Sequence, residues 1–181
     1  MTPTEKANSA RHQTVQGTYA EALQLIAVRS SVSHGPLPVS RDRIAAFCGL
    51  IEDGNTSYWD ENFCREHWGR PIAPPATLQS WIQPLPWSPE GASTLELMMM
   101  KVPLPGSTFI NVSTEIEYHR PIYVGEILSY WDEVTGISPE KQTRLGIGHF
   151  ITAVGHYQAA GGECVATSVN VLFRYEPGEP T

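Results

Sequence analysis

The side chains able to do chemistry are thinly spread, and their spacing excludes several reaction types. Six histidines, His12, His34, His67, His119, His149 and His156, form no HxxxH or HExxH pattern, and no two cysteines stand at CxxC spacing. A zinc centre therefore lacks its usual ligand arrangement, and neither a metal nor a cofactor is expected. A nucleophilic serine would need a strained elbow of the GxSxG type, which is absent. The odd trio Cys48, Cys64 and Cys164 lies in apolar or mixed stretches, where a free thiol behaves as a small hydrophobe. That usage points to a reduced chain in the cytosol. His149 and His156 are an odd number of steps apart, so on one strand they face opposite sides.

Charge narrows the partners. With 12 Lys+Arg against 19 Asp+Glu the formal net charge is -7, which offers no electrostatic footprint for nucleic acid or an anionic membrane. A few local basic groups can still hold a single phosphate. No apolar run approaches the roughly 20 residues of a membrane span. Residues 1–16 are polar and lack the apolar centre of a signal peptide. They read as a mobile arm (1–18) before one domain (19–177) and a short tail (178–181), since 181 residues suit a single core.

Stepping along that domain, residues 19–28 carry apolar positions at helical spacing. Ser40 is a candidate N-cap for a second helix in which Ile44, Phe47, Cys48 and Ile51 form one stripe, ending in the turn-forming Glu52-Asp53-Gly54-Asn55. Asp60 can cap a third helix over 61–68, with Gly69 as its stop. Arg70-Pro71-Ile72-Ala73-Pro74-Pro75 must be extended, because each proline fixes its own backbone and restricts the residue before it. Residues 76–82 then read as a buried helix of about two turns. The second half favours strands, over 94–102, 109–119, 126–134, 144–157 and 163–175, joined by short turns without helices between them. Such connections imply an antiparallel sheet and an α+β chain, with the 76–82 helix against the inner face. Met98-Met99-Met100 cannot all face one side of a strand; at least one fills the core or an adaptable pocket.

That order resembles the hot-dog fold, an antiparallel sheet wrapped around a central helix. Three segments resemble the MaoC-like, fungal-fatty-acid-synthase-like dehydratase family in particular. Ile44-Ala45-Ala46-Phe47 running into Glu52-Asp53-Gly54-Asn55-Thr56-Ser57-Tyr58-Trp59-Asp60 looks like that family's helix and Asp-x-Asn-Pro-x-His hydratase loop. Trp68-Gly69-Arg70-Pro71-Ile72-Ala73-Pro74-Pro75 is similar to its Ala-Pro-Pro approach to the central helix. Glu117-Tyr118-His119-Arg120-Pro121-Ile122-Tyr123-Val124-Gly125-Glu126 resembles its Arg-Pro-x-x-x-Gly-Asp strand and turn.

The resemblance implies a hydro-lyase acting on acyl-CoA or acyl-carrier-protein thioesters. In such enzymes the loop's Asp and His handle the water added to, or removed from, C3 of a 2-enoyl thioester. A backbone amide at the head of the central helix meanwhile polarises the thioester carbonyl. Asp53 and Asn55 match the loop pattern, Thr56 replaces its proline and Tyr58 its histidine. A phenol with a pKa near 10 is a poor base where an imidazole near 6.5 serves well. The leading expectation is therefore a subunit of an enoyl-CoA hydratase (3-hydroxyacyl-CoA dehydratase) whose partner, a second hot-dog chain, brings the complete Asp/His loop. A homodimeric hydratase using Asp53, a non-catalytic acyl-CoA-binding module and a hot-dog thioesterase are the alternatives. At least a dimer is expected, because open sheet edges invite pairing.

Each candidate also has a plainer role. Asp53 is either a catalytic carboxylate or a turn former, and Tyr58 either a hydrogen-bond donor to substrate or packing beside Trp59. Ala73, Pro74, Pro75 and Ala76 are candidates for the thioester site. Arg70 and Arg120 would hold the CoA phosphates, or else pair with surface carboxylates. His119, at a strand end, is expected to be exposed.

Overall fold

From Ile151 to Gln158 the side chains alternate between buried and part-exposed, the period of a strand with one face on a core. The computed structural model describes residues 14–89, 91 and 93–178. In chain order the elements are α1 (Tyr19–Leu23), β1 (Ser33–His34), α2 (Arg41–Leu50), α3 (Thr56–Trp59), α4 (Glu61–Trp68), β2 (Ile72–Ala73), a central 3₁₀ helix (Pro75–Trp81), α5 (Met98–Lys101), β3 (Thr108–Tyr118), β4 (Ile122–Tyr123), β5 (Ser129–Ile137), β6 (Lys141–Gln142), β7 (Gly146–Gln158) and β8 (Cys164–Pro177). The main sheet runs β1-β5-β7-β8-β3 with β6 on the end of β7, and its pairings are antiparallel. β2 and β4 form a separate antiparallel pair.

The central helix lies on the concave face of this sheet. Leu78, Trp81 and Ile82 are each at most 2% exposed and pack with Tyr130 of β5, Tyr157 of β7, Val165 and Ala166 of β8, and Ile44 and Cys48 of α2. Each such aliphatic burial contributes about 1.5–3 kcal/mol. The Trp81 indole donates to Thr77 Oγ1 at 2.9 Å, so its polar handle is satisfied inside. Gly155 makes room for this core: a Cβ there would stand 2.6 Å from the Tyr130 ring and 2.7 Å from Ser168 Oγ. This is the α+β hot-dog architecture expected above.

Local signals held where a side chain fixes a helix end. Asp60 accepts from the amides of Asn62 and Phe63 at the head of α4, and Gly69 closes it at φ 76°. Ser40 occupies the N-cap of α2 without a side-chain cap bond.

Four expectations need correction. Residues 94–102 do not form a strand. The Met98 amide points at the Asp132 carboxylate, 3.0 and 3.2 Å from its two oxygens, and this negative cap, with good helix formers behind it, sets the one-turn helix α5. The central helix is 3₁₀ rather than α, because Thr77 donates both its amide (3.0 Å) and its hydroxyl (2.6 Å) to the Pro74 carbonyl and so tightens the first turn. The first helix stops at Leu23. Ala27 then takes φ 66°, and Ile26 and Arg29 bridge to Val134 and Glu133, so that segment runs beside β5. A short helix, α3, stands where only a turn was expected, capped by Asn55 accepting from the Ser57 amide at 3.0 Å.

Of the expected arm, residues 1–13 lie outside the described residues, as do 179–181 of the tail. Beyond them, Leu104 donates to the Val15 carbonyl, Gln16 donates to the Gly106 carbonyl, and Thr18 caps α1. Strand parity sends His149 inward, 3% exposed, and leaves His156 on the outer face stacked on Trp131. Met98 is core, while Met99 and Met100 border a cavity. No helix among the described residues is long and apolar enough to cross a membrane.

Candidate functional site

Five of the positions singled out from sequence border one cavity of about 210 Å³ at the leading end of the central helix: Asn55, Tyr58, Ala73, Pro75 and Arg120. The local structure explains the convergence. Capping by Asn55 starts α3 and turns Ser57 and Tyr58 inward; Ser57 is buried and accepts from the Trp68 indole at 3.0 Å. Ala73 is held by the β2–β4 pairing, and Pro75 opens the central helix.

Asp53, Arg70, Pro74 and Ala76 do not line this cavity. The Asp53 carboxylate turns back to accept the Asn55 amide at 3.0 Å, and its carbonyl accepts the Trp59 indole at 2.6 Å. Pro74 and Pro75 have no amide hydrogen, and Thr77 spends its own on Pro74. Ala76 therefore carries the first N–H of the helix that is not bonded to a backbone acceptor among the described residues.

The electrostatics favour donors. Burial pushes the Tyr58 phenol above its ordinary range, and the Asp53 charge adds to this. At neutral pH Tyr58 is a protonated donor. Arg120 ion-pairs with Glu126 at 3.0 Å and Glu163 at 3.1 Å and donates to the Pro121 carbonyl. Burial works against its charge, but the two carboxylates outweigh that and raise its pKa. Arg70 lies 4.4 Å over the Tyr123 ring, with no carboxylate in ion-pair range among the described residues. His119 is exposed, its Nε2 3.3 Å from the Thr167 hydroxyl.

The sequence reading missed Tyr118, Ser57 and Trp68 as wall residues. Tyr118 donates to the Pro75 carbonyl at 2.8 Å, and strand parity could have found it, because it shares the inner face of β3 with Ile116. A second cavity of about 360 Å³ at the far end of the helix was also missed; it is bordered by Gln79, Ile82, Met99, Phe109, Tyr130 and Asp132 among others. No short motif announces it, since its walls come from six separate segments.

Comparisons with known proteins bear on this arrangement. The family model described as "FAS1-like, dehydratase domain region" matches residues 24–168. A probable enoyl-CoA hydratase alpha subunit of Thermomonospora curvata is 32% identical over 153 residues, 79% of this chain and 47% of that protein. The chain thus spans about half the length of that curated relative. Among solved structures, the ChsH1-ChsH2 complex from Mycobacterium tuberculosis aligns with a TM-score of 0.71 at 23% identity, covering 89% of this chain and 92% of that one. A MaoC-like dehydratase from Rhodospirillum rubrum aligns with a TM-score of 0.56 at 21% identity, over 86% of this chain and 98% of that one. At these identities the two structures speak for the fold.

Proposed function

This chain belongs to the FAS1-like dehydratase domain region family and has the hot-dog fold of the MaoC-like dehydratases, and from that premise we propose that it is one subunit of an enoyl-CoA hydratase (3-hydroxyacyl-CoA dehydratase). Its partner is a second hot-dog chain carrying the complete Asp/His loop. One observation carries the reading: the cavity at the helix head is walled by hydrogen-bond donors and apolar groups, and its lining residues include no carboxylate and no imidazole. Such a site can hold and polarise a thioester but has no group to take a proton from water.

The division of labour follows from the chemistry. Water must lose a proton as it attacks C3, C2 must gain one, and the enolate oxygen that develops needs fixed donors. In this reading the Ala76 amide faces the thioester carbonyl, and Ala73, Pro74 and Pro75 shape its approach. Tyr58 serves as a neutral donor, Arg70 takes a CoA phosphate, and Asp53 forms the turn that presents Asn55 and Tyr58. The partner's loop supplies base and acid. The relative named as an alpha subunit and the solved two-component complex support a heteromer.

The test is hydration of crotonyl-CoA and of a longer 2-enoyl-CoA by the purified chain, alone and with its co-purifying hot-dog partner. Turnover is expected only in the mixture. Turnover by the chain alone would sink the subunit assignment in favour of a homodimer. Release of free thiol from a saturated acyl-CoA would indicate a thioesterase instead.

A further inference from the structure

The central helix is too short for the sheet that wraps it. Seven residues of 3₁₀ helix rise about 14 Å, whereas the fourteen residues of β8 extend about 46 Å. Past Trp81 the concave face is left to the larger cavity, whose roughly 360 Å³ falls within the range of about 300–1,000 Å³ typical of small-molecule sites.

The two cavities share the same flank of the helix. Pro75 borders the first and Gln79 the second, about 8 Å apart along a 3₁₀ axis; on the inner face of β3, Tyr118 borders the first and Thr114 the second, about 13 Å apart. Between them Ile116 faces inward against the core. An extended chain can therefore start at the helix head and end in the larger cavity.

The walls of that cavity differ in character. One side is apolar, with Ile82, Leu97, Met99 and Leu172. The other carries a hydrogen-bonded line: Asn111 Nδ2 donates to Thr114 Oγ1 at 2.8 Å, Thr114 donates to Asn170 Oδ1 at 2.9 Å, and Asn170 Nδ2 donates to Ser168 at 3.1 Å. Cross-strand pairing puts Thr114 opposite Asn170 and Asn111 opposite Leu172 on the inward face, where the rest of the sheet packs apolar groups on the helix. The line leaves capacity unused, since each asparagine retains a donor and an acceptor site. The Gln83 amide, also in the wall, bonds to no other described residue.

We propose that the larger cavity receives the far end of the acyl group, and that this end carries a hydrogen-bonding oxygen which docks on the Asn111–Thr114–Asn170 line. The inference rests on the acyl-thioester reading above and adds the chemical class of the acyl group: an apolar body with an oxygen remote from the thioester. A plain alkyl terminus would leave these amides without partners when water is displaced, which a site built to bond an oxygen discriminates against.

Calorimetric titration of the chain with its partner decides this. The probes are saturated acyl-CoAs from octanoyl to hexadecanoyl, each plain, with a terminal hydroxyl, or with a keto group next to the terminal methyl. At one chain length an oxygenated probe is expected to bind about tenfold tighter than its plain counterpart. Thr114→Val and Asn170→Leu are each expected to abolish that preference while plain probes bind as before; thermal midpoints establish that both variants fold, and Thr114→Val, on the edge strand, is the milder of the two. Equal binding of plain and oxygenated probes at every length overturns the inference and leaves the hydratase reading standing. A preference that survives in both variants overturns it too. If no acyl-CoA binds, the hydratase reading falls and this inference with it.

Discussion

The Tyr118 hydroxyl, at the end of β3, donates to the carbonyl of Pro75, the first residue of the central helix, at 2.8 Å. This bond ties the edge strand to the point where a thioester would lie, and Tyr118 also walls the cavity there. Burial raises the Tyr118 pKa, so the hydroxyl remains a donor through neutral pH. Tyr118→Phe keeps the ring and removes the bond. A stability loss of about 1 kcal/mol is expected, read as a drop in the urea midpoint. Hydration by the complex should fall in kcat more than KM rises, because the defect lies in positioning; an unchanged kcat would argue against it.

Asp53 offers a sharper discrimination. Its carboxylate closes a turn onto the Asn55 amide, a role asparagine fills equally well. Asp53→Asn is expected to leave turnover of the two-chain complex within about threefold, well short of the effect of losing a catalytic base. Asp53→Ala should cost about 1 kcal/mol through the lost turn bond. A loss of about a hundredfold in kcat for Asp53→Asn, with an unchanged thermal midpoint, would make Asp53 the base after all.

What the sequence revealed and what it hid divide along physical lines. Features decided by one residue's own chemistry were legible: the Asp60 cap, the Gly69 stop, the prolines that keep 70–75 extended, and the period-two runs of β3, β7 and β8. The failures lie where a distant group decides. Residues 94–102 are apolar enough for a strand, yet Asp132, 34 positions after Met98, caps a helix there. The 3₁₀ character of the central helix depends on a threonine hydroxyl choosing its own turn's carbonyl. At the site, family resemblance found Asn55, Tyr58, Ala73 and Pro75 together, while the direction of the Asp53 carboxylate and the partners of Arg120 required geometry.

Asp132 yields a prediction about pH. It is 1% exposed, and burial raises its pKa above the ordinary value; the bonds from Ser30 and the Met98 amide and the charge of Lys101 only partly oppose this. Between the unfolded value near 3.9 and the raised folded one, the native state binds more protons than the unfolded state. Stability therefore falls as pH rises through that window, and the penalty persists at neutrality. Asp132→Asn keeps an acceptor for Met98 and removes the buried charge. It should be as stable as the parent or more so at pH 7, with a flatter denaturation midpoint just above pH 4. Asp132→Ala should instead lose about 1–3 kcal/mol, because the Met98 amide is left buried without a partner. A steep loss in Asp132→Asn at pH 7 would show that the charge itself holds α5.

Arg120 and Arg70 make opposite predictions although both flank Tyr123, at 5.3 and 4.4 Å from its ring. The Arg120 and Glu126 side chains are only 13% and 14% exposed, so removing the cation strands a carboxylate away from water. Arg120→Leu should cost about 3 kcal/mol, and adding Glu126→Gln should recover part of it. Arg70 is exposed, and Arg70→Ala should change stability by about 1 kcal/mol or less. Its effect should appear in binding: acyl-CoA affinity is expected to fall about tenfold, the worth of one charge-assisted phosphate contact. Acyl-pantetheine, which lacks the phosphates, should bind the variant and the parent equally. Equal losses for both ligands would mean that Arg70 acts through Tyr123 and the cavity wall, and the phosphate role would pass from it.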